Sequence, residues 1–95
     1  MSGDTMEFLV RMTITAPGDS ADVAALRAAE AERAAELARS GTLLRLWRIP
    51  GDRANWGLWR ADDATALHEA LTSLPLWPHA RFEVHALASH PNDPG

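Results

Sequence analysis

The order in which the hydrophobic period changes along the chain restricts its fold more than any other feature. MEFLVRMTI alternates, with Phe8, Val10, Met12 and Ile14 on one face, which is the two-residue period of a half-buried strand. Pro17 and Gly18 break that strand, and Asp19 or Ser20 offers a helix cap. From Ala21 to Ser40 the residues are strong helix formers, and Gly41 is placed to end the run. Leu43 to Ile49 predicts a second strand, IPGD a turn and ANWGLWR a third strand. Asp62 and Asp63 are positioned to cap a second helix whose Leu67, Leu71 and Leu74 share a face, and Pro75 and Pro78 stop it. RFEVHAL predicts a fourth strand, followed by the polar tail SHPNDPG.

The resulting order, β-α-β-β-α-β, predicts an α+β ferredoxin-like sandwich, an antiparallel sheet with both helices on one face. With 95 residues and no linker, repeat or low-complexity tract, the whole chain reads as one domain, with a core over 6–88 and a C-terminal tail over 89–95. A core this small gains from a partner. Strands two and three carry large apolar residues at both parities, so the open sheet face is expected to be covered as well. A second copy packed there gives a dimeric α/β barrel, and the tail is expected to cross onto that copy. The longest apolar runs are too short for a signal peptide or a membrane span, which predicts a cytoplasmic protein with no membrane partner. A net charge of −4 argues against nucleic acid.

Composition matters most through what is missing. All nine basic residues are arginine, and the chain has no tyrosine and no cysteine. A lysine Schiff base and a thiol nucleophile are therefore impossible, and general acid-base work falls to Asp, Glu and His. His68, His79, His85 and His90 lie on a helix, a loop, a strand and the tail without ligand spacing, so no metal site is expected. Scattered glycines exclude a phosphate loop.

Helix one holds a local inconsistency. At about 100° per residue, Val23, Leu26, Ala34 and Leu37 cluster on one side of the wheel, and Glu30 falls within that cluster. A carboxylate on an apolar stripe is desolvated, which raises its pKa toward the range of a general base; the competing reading is a glutamate paired with an arginine to fix packing. The hairpin from Arg45 to Trp59 offers partners for a ligand. Arg48 shares parity with Leu44 and Leu46, whereas Arg45 shares parity with Trp47 and Ile49, and either guanidinium can grip a carboxylate with two prongs or pair with a surface acid. Asn55 can hold a carbonyl oxygen, while Trp47 and Trp56 supply flat walls or simple packing. His68, beside the apolar face of helix two, is a further candidate proton carrier or a core histidine.

RLWRIPGDRAN, followed by LHEALTSLPLWP and EVHALASHPNDP, resembles the muconolactone delta-isomerase family, and MEFLVRMT is similar to its opening strand. The likeness runs in order from Met6 to Pro94. It implies a subunit that dimerises or builds larger rings and needs no metal or organic cofactor. The family's reaction moves a carbon-carbon double bond within a small lactone bearing a carboxylate. By this resemblance Glu30 matches the glutamate of the first helix, Arg48 the arginine of the Trp-Arg pair and Asn55 the asparagine after the turn. Two departures stand out: Asp52 and Arg53 replace a histidine and a tyrosine that commonly follow the turn glycine, and Arg11 replaces a usual lysine. Asp52 thereby becomes a candidate for the missing histidine's proton work, and Arg11 a candidate anion contact.

Three functions are compatible with these residues. The first is a cofactor-independent isomerase, or related lyase, acting on a small unsaturated lactone or enone acid. The second moves the same proton chemistry to a natural-product pathway and a larger polyketide-like substrate. The third is a dimer that binds a small molecule without turnover. Glu30 separates them: a base in a cavity favours the enzymes, and a glutamate locked in a salt bridge favours binding.

Overall fold

The computed structural model describes residues 5–16 and 21–95. The elements are β1 (Met6–Ile14), α1 (Ala21–Arg39), β2 (Leu43–Arg48), β3 (Ala54–Ala61), α2 (Ala64–Thr72), a single 3-10 turn (Trp77–His79) and β4 (Ala80–Leu87). One four-stranded sheet has the order β2-β3-β1-β4 with every neighbour antiparallel, which is the ferredoxin-like arrangement. The proposed break at Pro17 and Gly18 and the cap at Asp19 or Ser20 lie outside the described residues.

Local chemistry accounts for the boundaries that can be seen. Helix α1 ends where Gly41 takes φ +83°, a conformation that costs glycine nothing. The Gly41 N–H donates to Ala38 O at 3.1 Å and the Thr42 N–H to Leu37 O at 2.9 Å, so the last carbonyls of the helix are satisfied in a Schellman pattern. The β2–β3 connection turns at Pro50 and Gly51, with Gly51 at φ +79° and the Asp52 N–H donating to Ile49 O at 3.3 Å. Proline followed by a positive-φ glycine is the pairing a type II turn requires. Helix α2 starts at the Asp63 cap, whose carboxylate accepts from the Ala66 N–H at 2.8 Å.

The core lies between the sheet and the helices. Phe8, Val10 and Trp59 from the central strands meet Leu37 of α1, Leu43 of β2, and Leu67, Leu71 and Leu74 from α2 and the segment after it. Strand β2 enters this core through an irregularity in its register. Leu43 faces Trp59 while Arg45 faces Leu58, so Leu44 is an extra residue bulged out of the ladder. The bulge changes parity, and Leu43, Leu46 and Arg48 all come to the helix-covered side. Trp47 is opposite Trp56 on the open side. That open side also carries Leu9, Arg11 and Leu58, while Arg45 holds its guanidinium 5.2 Å from the centre of the Trp47 ring.

Helix α1 is held against the sheet unevenly. Val23 and Leu37, near its two ends, are buried, whereas the residues between them are partly or fully exposed. Ala31 and Ala34 face the sheet with methyl groups too short to close the gap, and a cleft remains under the middle of the helix.

Candidate active site

The cleft has an outer hollow of about 560 Å³ and an inner one of about 220 Å³. They share Met12, Arg27, Glu30, Leu46 and Asn55, which form the passage between them. The outer hollow carries the charge, with Arg48, Asp52 and Arg53 at its rim. The inner one is walled by Val10, Leu43, Trp59, Leu74 and Phe82. Leu46 is 49% exposed although it faces the helix-covered side, because the cleft takes the place of a packing partner.

Glu30 stands at the junction. Its carboxylate accepts one hydrogen bond, from the Leu76 N–H at 3.0 Å, and no arginine of the described residues pairs with it. Burial pushes its pKa above the ordinary carboxylate value, and the Leu76 N–H offsets part of that rise. A half-buried carboxylate without an ion-pair contact is the arrangement a base needs, and the alternative of a closed glutamate-arginine pair is absent among the described residues.

Three neighbouring side chains that line the cleft are unengaged among the described residues. Arg27, Arg48 and Asn55 make no side-chain hydrogen bond or ion pair with any described residue. Two free guanidiniums and one free amide around a carboxylate can accept an anionic ligand, fix a carbonyl and leave the carboxylate to move a proton. Arg27 was not singled out in the sequence. Its signal is its place three residues before Glu30, where both residues point to the same side of α1.

The other sequence candidates are distributed more widely. Asp52 reaches the rim of the outer hollow, but its carboxylate is engaged on both oxygens: Arg11 Nη2 donates to Oδ2 at 2.9 Å and the Arg53 N–H to Oδ1 at 2.8 Å. Arg11 comes from the open side of β1 and does not line the cleft. The two departures from the resembled family are therefore in contact, 41 residues apart in sequence. Trp47 borders the outer hollow from the edge strand. Arg45 and Trp56 lie on the open side of the sheet, Trp56 6.0 Å from His85. His68 packs edge-on to Trp77 at 5.5 Å, beside a separate hollow lined by α2 and β4. Strand alternation sends Arg48 and Asn55 to the cleft side, where Glu30 of α1 and Asp52 of the turn join them, with the open-side Trp47 reaching the hollow only over the sheet edge; Arg11, Arg45, Trp56 and His68 stay outside it. Among the described residues no three of His, Asp and Glu come together.

Comparison with known proteins agrees over nearly the full length. The family model described as muconolactone delta-isomerase matches residues 6–93. Muconolactone Delta-isomerase of Pseudomonas aeruginosa is 42% identical over 89 residues, covering 92% of this chain and 93% of the relative. That of Pseudomonas putida is 39% identical over the same length. The crystal structure of muconolactone isomerase at 3.3 Å resolution superposes with a TM-score of 0.87 at 40% identity, covering 95% of this chain and 96% of that one. SnoaB, a cofactor-independent oxygenase from Streptomyces nogalater, matches with a TM-score of 0.55 at 21% identity, a likeness of fold alone.

Proposed function

Because the chain belongs to the muconolactone delta-isomerase family, we propose that it shifts a double bond in a small unsaturated lactone acid, with Glu30 as the base. The observation that carries this reading is Glu30 itself, a desolvated carboxylate with no ion-pair partner among the described residues, opening onto a cleft where the guanidiniums of Arg27 and Arg48 and the amide of Asn55 also pair with no described residue. In the proposed reaction Glu30 takes a proton from one allylic carbon, the electron pair left behind delocalises onto the lactone carbonyl oxygen, and Glu30 returns the proton at the other end of the allylic system. Donors at the carbonyl hold the dienolate between the two transfers. Asn55 fits that role, and Arg48 with Arg27 fits the ligand carboxylate. Asp52 is a rim residue in this scheme: with Arg11 beside it and both oxygens engaged, its charge is balanced.

Incubation of the purified protein with muconolactone in deuterated water tests the reading. The expected result is consumption of muconolactone, with partial deuterium at the carbon that receives the proton, followed by NMR. Muconolactone left unchanged at high enzyme concentration would remove the substrate assignment.

The same reading includes a homodimer or a larger homo-oligomer. Leu9, Trp47, Trp56 and Leu58 form an apolar surface on the open side of the sheet, and Trp47 is 42% exposed. A second copy seated there would bury it. Light scattering at micromolar concentration should give at least twice the mass of one chain; a monomer would leave this face without a partner. Among the described residues no helix is long and apolar enough to cross a membrane.

A further inference from the structure

The indole of Trp59 is only 5% exposed and lies in the wall of the inner hollow. Its orientation is defined by Gly57. A Cβ placed on Gly57 would stand 2.6 Å from Trp59 Nε1, 3.2 Å from Trp59 Cδ1 and 3.1 Å from a methyl of Leu46. The nitrogen edge of the indole, and not its benzene edge, therefore folds back over the central strand into the space that any other residue at position 57 would fill. Trp59 Nε1 donates to no described residue. Among the described residues no side-chain nitrogen or oxygen is both sealed from solvent and without a partner. The indole N–H of this buried residue must then be reachable through the hollow it lines.

Asn55, Gly57 and Trp59 share one face of β3, with Asn55 at the passage and Trp59 at the inner end. By folding over Gly57, the indole brings its N–H from the inner end toward the Asn55 amide. Two neutral donors thus border one apolar space, while the free guanidinium of Arg48 lies at the outer end. A neutral donor in an apolar wall selects an uncharged acceptor, and a charged donor at a wet rim selects an anion.

We propose that the Trp59 indole N–H is a ligand-binding donor that receives the ring carbonyl oxygen at the inner end of the cleft, and that Gly57 is the residue that makes room for it. The ligand class is a flat ring with a carbonyl at one end and a carboxylate at the other. It lies with its carboxylate toward Arg48 and its carbonyl inward, which places the allylic carbons beside Glu30. This orientation rests on the functional reading above and makes Trp59 a specificity-determining residue for it.

The test uses two acids that differ only at the carbonyl: 5-oxotetrahydrofuran-2-acetic acid, a lactone acid, and tetrahydrofuran-2-acetic acid, its cyclic ether counterpart. In calorimetry Trp59→Phe, which keeps an aromatic ring and removes the donor, should weaken the lactone acid by about 3- to 10-fold, the scale of one neutral hydrogen bond, and leave the ether acid unchanged. In wild-type protein the indole N–H resonance that Trp59→Phe removes should shift on addition of the lactone acid and stay in place with the ether acid. If Trp59→Phe does not fold, Gly57→Ala serves instead, since the added methyl displaces the indole edge and should cause the same selective loss. Equal loss for both acids, or no loss for the lactone acid, overturns the inference. Should the wild-type protein isomerise muconolactone while it binds neither acid, or while the variant treats the two acids alike, this inference alone falls; should the wild-type protein leave muconolactone unchanged, the functional reading falls with it.

Discussion

Glu30→Gln should lower turnover by about 10² to 10⁴-fold, the usual contribution of a positioned base, with ligand affinity close to wild type. The substitution isolates the proton transfer because a glutamine oxygen can still accept the Leu76 N–H, so the link between α1 and the segment after α2 survives. Titration gives a second signature. In the wild-type protein kcat/KM should rise with pH and level off above the raised pKa of Glu30, since only the carboxylate removes a proton. Stability should move the other way. A carboxyl whose pKa is raised on folding binds its proton more tightly in the native state. Its contribution to stability is therefore present below the unfolded pKa and lost as pH rises through the folded one. Glu30→Gln has no charge to bury, so it should be more stable than wild type at neutral pH, and the difference should shrink on acidification. Steady-state kinetics and denaturant melts at two pH values check both parts. Full turnover by Glu30→Gln would end the base assignment.

Arg48→Lys should cost roughly 1.5 to 3 kcal/mol in affinity for an acidic ligand, the scale of a hydrogen bond to a charged group. Lysine keeps the charge and loses the planar fork, so the variant reports on geometry and not on long-range attraction. Arg45→Lys is the internal control. Arg45 is three residues away on the same strand but holds its guanidinium over Trp47 on the opposite face of the sheet, so its loss should leave affinity unchanged. Calorimetry with a lactone acid separates the two. A penalty at Arg45 and none at Arg48 would place the anion on the open side and remove the cleft from recognition.

The sheet and helices were legible because each is written in a local code: alternation in MEFLVRMTI, the leucines of α2, and Gly41 and Gly51 where positive φ is needed. Glu30 was legible for a related reason, since a carboxylate on an apolar stripe conflicts with its own helix. Sorting the hairpin was harder. Period-two counting assigns Arg48 and Leu46 to one face, but Leu43 joins them only through the bulge at Leu44, and no residue in LLRLWR marks that position. Arg27 lacked a signal until Glu30 had been placed, because an exposed arginine on a helix is ordinary. Trp59 is core, on the face of β3 that it shares with Gly57 and Asn55. That its N–H edge faces inward over a glycine depends on a rotamer, which sequence spacing does not encode.

The contact between Arg11 and Asp52 has a consequence for anyone exchanging segments among relatives. The pair is solvent-accessible, so it adds little to stability, of the order of 1 kcal/mol or less. Its effect is on charge at the rim of the cleft. A chimera that takes the hairpin from a relative with histidine at position 52 and keeps β1 would leave Arg11 without its acid. The reverse chimera would pair Asp52 with the lysine that the family resemblance implies at position 11, whose shorter reach and single point of charge differ from the guanidinium fork. Positions 11 and 52 are thus coupled through one ion pair that spans two segments, and a transplant of the hairpin changes the charge at the cleft rim unless the strand residue goes with it.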